Sequence, residues 1–193
     1  MKTLSLLVSL LTAVPLFAQP EPDHEIHQEL RGIMSTVMTA INSGNYDAML
    51  PVISENIRAT TITQEFISSR PGASAYFKKW FGPGGFLKKL EMSMMADTVT
   101  ELSPDKSWGV VYGTGSEKYT LADGRRYDMP TRWTATVAKE ADGHWRLRAI
   151  HFGTNFLDNP ILTEAKNAVT KYAAIAGIVG LLVGLILGRV TKR

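Results

Sequence analysis

Four hydrophobic regimes follow one another along this chain. Leu4 to Phe17 is an almost unbroken apolar run. From Asp23 to Ser43 the apolar residues recur as Ile26, Leu30, Ile33, Met34, Val37, Met38 and Ile41, the spacing of an amphipathic helix. Asn42-Ser43-Gly44-Asn45 reads as the turn that ends it. A short helix from Tyr46 to Ile53 and a short strand from Asn56 to Thr63 come next. Pro71 then opens a helix whose aromatic face is Tyr76, Phe77, Trp80 and Phe81, stopped by Gly82-Pro83-Gly84-Gly85. The third regime alternates with period two, and predicts strands near Leu87–Leu102, Ser107–Thr120, Arg126–Glu140 and His144–Asn155. Asp123-Gly124 and Asp142-Gly143 mark two of the hairpin turns. Asn159-Pro160 starts a helix that meets no breaker before a final apolar run, Tyr172 to Val190.

Helices followed by a meander of long strands predict an α+β domain, with about three helices covering one face of a bent antiparallel sheet. Gly109, Gly113 and Gly115 inside one strand predict a sharp bend there.

The two apolar ends predict an address. Lys2, the apolar run to Phe17 and the small residue Ala18 make residues 1–18 read as a signal peptide cleaved after Ala18, an uncleaved anchor being the alternative. Ala173 to Val190 would form a helix of roughly 27 Å at 1.5 Å per residue, close to the hydrocarbon thickness of a bilayer. A buried core helix of that kind would need a large protein around it. The expected organisation is a domain over residues 23–158, a juxtamembrane helix over 159–172, a transmembrane helix over 173–190 and a cytoplasmic tail over 191–193. Arg189, Lys192 and Arg193 follow the span, as cytoplasmic flanks do. The expected localisation is a bacterial inner membrane, single-pass, with the domain on the periplasmic or extracellular side. Ala176, Gly180, Gly184 and Gly188 recur every four residues, a ridge that would let a second helix approach and so form a homo-oligomer, in the simplest case a dimer.

Composition changes this picture in two places. The sequence pI near 9.1 points to nucleic acid until the charges are located. Between Gln19 and Asn159 there are 15 Lys and Arg against 17 Asp and Glu, a net of −2, so the basicity belongs to the termini and no nucleic-acid partner is expected. The chain has no cysteine, which excludes disulfides, thiolate metal sites and cysteine nucleophiles. His24 and His27 share a helical face without a third ligand, so neither a metal nor another cofactor is expected.

Three stretches carry a resemblance: "AINSGNYDAMLPVISENI", "RPGASAYFKKWF" and "TRWTATVAKEADGHWRLRAIHFGTN". Together they resemble the nuclear-transport-factor-2-like, or SnoaL-like, superfamily, over roughly Asp23 to Asn155. The resemblance implies a cone, a curled sheet wrapped around helices with a pocket at the wide end. It is nearly silent on activity, because the family holds isomerases, dehydratases, hydrolases, transport factors and assembly domains. The tyrosine and general-base aspartate of its ketosteroid isomerase branch would fall at Val37 and Thr61, which can do neither job.

Strict alternation in the last strand puts Trp145, Leu147, Ala149 and His151 on one apolar, inward face. His151 is then a candidate general base, with Asp97 as its carboxylate partner. Arg132 and Thr134 match an Arg-x-Thr pattern frequent in the family, and with Tyr112, Trp108 and Tyr76 they are candidate ligand contacts. The reading taken first is a non-catalytic module that binds a small apolar ligand or a protein. The alternatives are a small-molecule enzyme using His151 with a carboxylate, and an oligomeric scaffold assembled through the glycine ridge.

Overall fold

The structure is a computed structural model and describes residues 22–191. The expected signal peptide, and Lys192 and Arg193 of the expected tail, lie outside the described residues. The element order is α1 (His24–Ser43), a 3-10 helix (Tyr46–Val52), β1 (Ile53–Thr60), β2 (Phe66–Ile67), α2 (Arg70–Phe81), β3 (Leu87–Ala96), β4 (Glu101–Leu102), β5 (Trp108–Leu121), β6 (Arg126–Lys139), β7 (Trp145–Thr154) and α3 (Pro160–Val190).

Local chemistry sets most boundaries. Gly44 closes α1 in the left-handed region at φ 72°, where a side chain would be strained. The Ser69 hydroxyl caps α2 by accepting from the Gly72 amide at 3.1 Å, and Asn159 caps α3 by accepting from the Leu162 amide at 3.0 Å. The stretch expected as one strand from Leu87 to Leu102 is two, β3 and β4, separated by residues 97–100.

The seven strands form one curled, unclosed sheet in the order β2-β1-β7-β6-β5-β3, with β4 pairing to β5. Its long strands are antiparallel, but β1 lies parallel to β7, a pairing the meander pattern did not predict. The helices α1 and α2 pack into the concave face. One cluster of the core joins Leu30 and Ile33 of α1 to Trp133, Ala135 and Val137 of β6. A second joins Ala40 and Ile41 to Tyr119, Leu121 and Met129.

Gly113 is there for a close approach. A Cβ at that position would lie 2.7 Å from the Trp133 ring and 2.0 Å from the Met95 carbonyl oxygen. The absent side chain lets Trp133 lie flat across β5 and donate its indole N–H to the Thr114 carbonyl at 2.8 Å.

The helix α3 continues without a break for 31 residues, roughly 46 Å, and an 18-residue window within it has a mean hydropathy of 2.3. It is the one helix among the described residues long and apolar enough to cross a membrane, and its apolar window is not buried against the rest of the protein. Its first turns are pinned to the β5–β6 hairpin. Glu164 accepts from the Tyr127 hydroxyl and pairs with Arg125 at 3.3 Å.

Candidate functional site

The space between α1, α2 and the concave sheet face is not filled. A cavity of about 410 Å³ remains, within the range of small-molecule sites. From α1 it is lined by Leu30, Ile33, Met34, Val37 and Ile41, from α2 by Ala73, Tyr76 and Phe77, and from β6 by Trp133, Ala135 and Val137. His27 and Arg31 on the first turns of α1, with Thr98 and Thr100, supply polar lining.

One acidic residue lines this space. Alternation along β5 sends Val111, Gly113, Gly115, Glu117, Tyr119 and Leu121 to the concave side, and Glu117 is only 3% exposed. Its Oε2 accepts from the Tyr119 hydroxyl, while its Oε1 has no hydrogen-bond partner. Burial pushes the carboxyl above the usual carboxylate range; the Tyr119 hydrogen bond opposes this and is the smaller effect. Burial likewise raises the Tyr119 phenol, and the adjacent Glu117 raises it further. Among the described residues no cation contributes to the Glu117 shift, so burial favours the neutral form of the acid. Tyr76, across the cavity, is also raised by burial, and its hydroxyl is engaged with Thr63 at 3.3 Å.

The residues singled out from sequence lie elsewhere, apart from Tyr76. The expectation of an inward His151 is overturned by a β-bulge. Thr136 pairs with Ala149 and Val137 with Leu147, leaving Arg148 extra, so the alternation inverts beyond it. Trp145 and Leu147 point in before the bulge; Ile150 and Phe152 line the cavity after it, and His151 is exposed on the convex face. The bulge directs Arg148 to Asn56, whose backbone and side-chain oxygens accept from its guanidinium.

Asp97 is not a partner of His151. It binds Arg132 through both carboxylate oxygens, at 2.7 and 3.3 Å. Asp97 stands beside Tyr112 of β5, and His151 is on β7, so three strand spacings, roughly 14 Å, separate their backbones. Arg132 and Thr134 occupy exposed positions of β6, and Trp133 and Ala135 take the inward ones. Tyr112 also faces outward and donates to Glu101 at 3.4 Å, and Trp108 is 48% exposed at the start of β5. Thr60, His151, Thr134 and Tyr112 form a row across the convex face. No group of three or more metal-ligating side chains occurs among the described residues. Sequence reasoning missed Glu117, although its place between Val111 and Leu121 on an apolar alternation was there to be read.

No protein-family model matches the sequence, and no curated protein matches it. Solved structures do match in fold. A ketosteroid isomerase-like protein from Erwinia carotovora atroseptica superposes with a TM-score of 0.58 at 12% identity, covering 67% of this chain and 96% of its own. A hexachlorocyclohexane dehydrochlorinase gives 0.58 at 10% identity, covering 68% and 86%. A nuclear transport factor 2-like superfamily protein from Salmonella enterica gives 0.56 at 12% identity, covering 68% and 92%. The similarity shows the nuclear-transport-factor-2-like fold, and in this chain the long apolar helix α3 follows it.

Proposed function

We propose that the domain receives a small, mostly apolar molecule inside the cone and that α3 tethers it to a membrane. One observation carries the reading: an open, largely apolar cavity of about 410 Å³ at the centre of the fold. A core with no purpose but stability would close such a space, since unfilled volume costs about 24 cal/mol per Å³ in measured cavity series. The tether rests on the exposed apolar helix, and the extracytoplasmic side on the leader at residues 4–17. The glycine ridge at Ala176, Gly180, Gly184 and Gly188 favours a homo-oligomer of the anchors, a dimer being the simplest.

Native mass spectrometry of the full-length protein extracted from membranes tests the binding role. A retained small molecule is expected in the wild type and absent from Val37→Phe, which fills the cavity from α1. Identical bare masses for both would contradict the role. Alkaline carbonate should leave the protein in the membrane, and a reporter joined at residue 160 should be active outside the cytosol; release, or activity only in the cytosol, would remove the tether. Gly180→Ile with Gly184→Ile should dissociate oligomers in detergent, and unchanged oligomers would count against the ridge.

A second reading is an enzyme, favoured by one observation: a buried carboxyl with a free oxygen lines the cavity, a group suited to moving a proton within an apolar site. Two fold neighbours, described as a dehydrochlorinase and as isomerase-like, have names that denote enzymatic chemistry. On this reading the acting carboxyl is Glu117, with His151 and Asp97 outside the cavity.

A further inference from the structure

Glu117 narrows the class of molecule that fits the cavity, an inference resting on the binding role proposed above. The lining is mostly apolar, so an occupant gains from burying hydrocarbon surface. Against that background one carboxyl oxygen is left over. Glu117 Oε1 is buried and unpartnered, whereas Oε2 is taken by Tyr119. An orphaned buried polar atom is rare in folded proteins and calls for a partner that the protein itself does not supply. The terminal torsion of a glutamate is broad, so a small rotation presents Oε1 to the cavity.

We propose that Glu117 is the polar anchor of the cavity and that its occupant is a small apolar molecule carrying one hydrogen-bond-accepting oxygen of the carbonyl class. The hydrogen-bond directions decide between acceptor and donor. With Tyr119 donating to Oε2, the neutral form of Glu117 would carry its proton on Oε1 and offer an O–H to the ligand. The same arrangement disfavours an organic cation. An ammonium brought from water into this space would lose its hydration where burial favours the uncharged form of the carboxyl.

The titratable groups facing Glu117 are Tyr119 on its own strand and Tyr76 on α2; α1 contributes apolar Ile33, Val37 and Ile41 opposite it, and His27 and Arg31 on its first turns. Thr61 lines the cavity and can add hydrogen bonds but no charge, and the Thr131 hydroxyl on β6 is likewise buried and unpartnered.

Three probes with one skeleton test this on the full chain in detergent micelles, with empty micelles subtracted: 2-acetylnaphthalene, 2-ethylnaphthalene and 1-(2-naphthyl)ethylamine. The wild type is expected to bind the ketone about tenfold more tightly than the hydrocarbon, with the amine weakest. Glu117→Gln, whose amide still donates, should keep most of that preference. Glu117→Met should bring ketone and hydrocarbon to within about twofold of one another. Equal affinity of ketone and hydrocarbon in the wild type, a ketone preference that survives in Glu117→Met, or tightest binding of the amine would each overturn the assignment and leave the cavity standing. Binding of none of the three would overturn the cavity reading and this inference together. The three-probe comparison in the wild type decides the matter without any variant.

Discussion

The two faces of the β5–β6 hairpin treat acidic groups in opposite ways. On the concave side Glu117 is sealed among apolar side chains and a tyrosine, and burial favours its neutral form. On the convex side and at the rim, carboxylates stand in water beside cations. Asp97 binds Arg132 at 2.7 Å, and Asp142 is held well below the usual carboxylate range by hydrogen bonds from Arg146 and the His144 amide. Ionisation is disfavoured within and favoured without. A cluster of charges and a histidine on a sheet therefore marks a solvated surface here, while the chemically unusual group is the single acid where the pattern calls for an apolar residue.

Substitutions can break or sharpen this contrast, and the largest effect lies inside. Trp133→Ala empties the centre of the concave face and should cost about 3–5 kcal/mol in denaturant unfolding; a loss below 1 kcal/mol would mean that the ring is not packed against Gly113 as described. Gly113→Ala places a methyl against the same ring and the Met95 carbonyl, with an expected loss of about 1–3 kcal/mol by the same measurement.

The pH dependence separates the two faces by sign. In the unfolded chain the Glu117 carboxyl titrates near its ordinary value, about 4.3. Burial keeps the proton on to higher pH in the folded protein, so the folded state binds more protons between the two values. Stability from this group is complete below pH ~4.3 and falls as pH rises towards the folded value. Asp142 runs the other way: its folded value is depressed, so its contribution is present above the unfolded value and is lost as pH falls. Glu117→Gln should remove the loss towards higher pH and leave the acid limb intact, as read from thermal midpoints across pH 4 to 8. An unchanged profile would place Glu117 in contact with water.

The smallest effects belong outside. Arg132→Ala breaks a pair whose side chains are 59% and 37% exposed, and should shift stability by no more than about 0.5 kcal/mol. His151→Ala should leave both stability and ligand retention unchanged; loss of the retained molecule in that variant would return the candidate site to the convex face.

Local signals were legible in the sequence, and relational ones were not. Asp123-Gly124 and Asp142-Gly143 turn where expected, with the glycines at φ 91° and 83°, because a tight turn depends on the residues that make it. The spacing from Ile26 to Ile41 gave α1, and Asn159-Pro160 gave the start of α3, for the same reason. The orientation of His151 was not legible. It depends on Arg148 being left out of the ladder so as to reach Asn56 on a strand some 90 residues earlier, and nothing near His151 encodes that. The parallel pairing of β1 with β7 was hidden likewise, because the two strands meet only once the chain is folded. Glu117 differs from both. Its inward position follows from simple alternation with Val111, Tyr119 and Leu121.

The most direct test of a neutral interior acid is the side-chain carboxyl ¹³C resonance of Glu117, in full-length protein labelled at glutamate and assigned by its loss in Glu117→Gln. A titration midpoint above the ordinary glutamate value is the expected result. A titration with its midpoint near 4.3, as for a solvated glutamate, would contradict it.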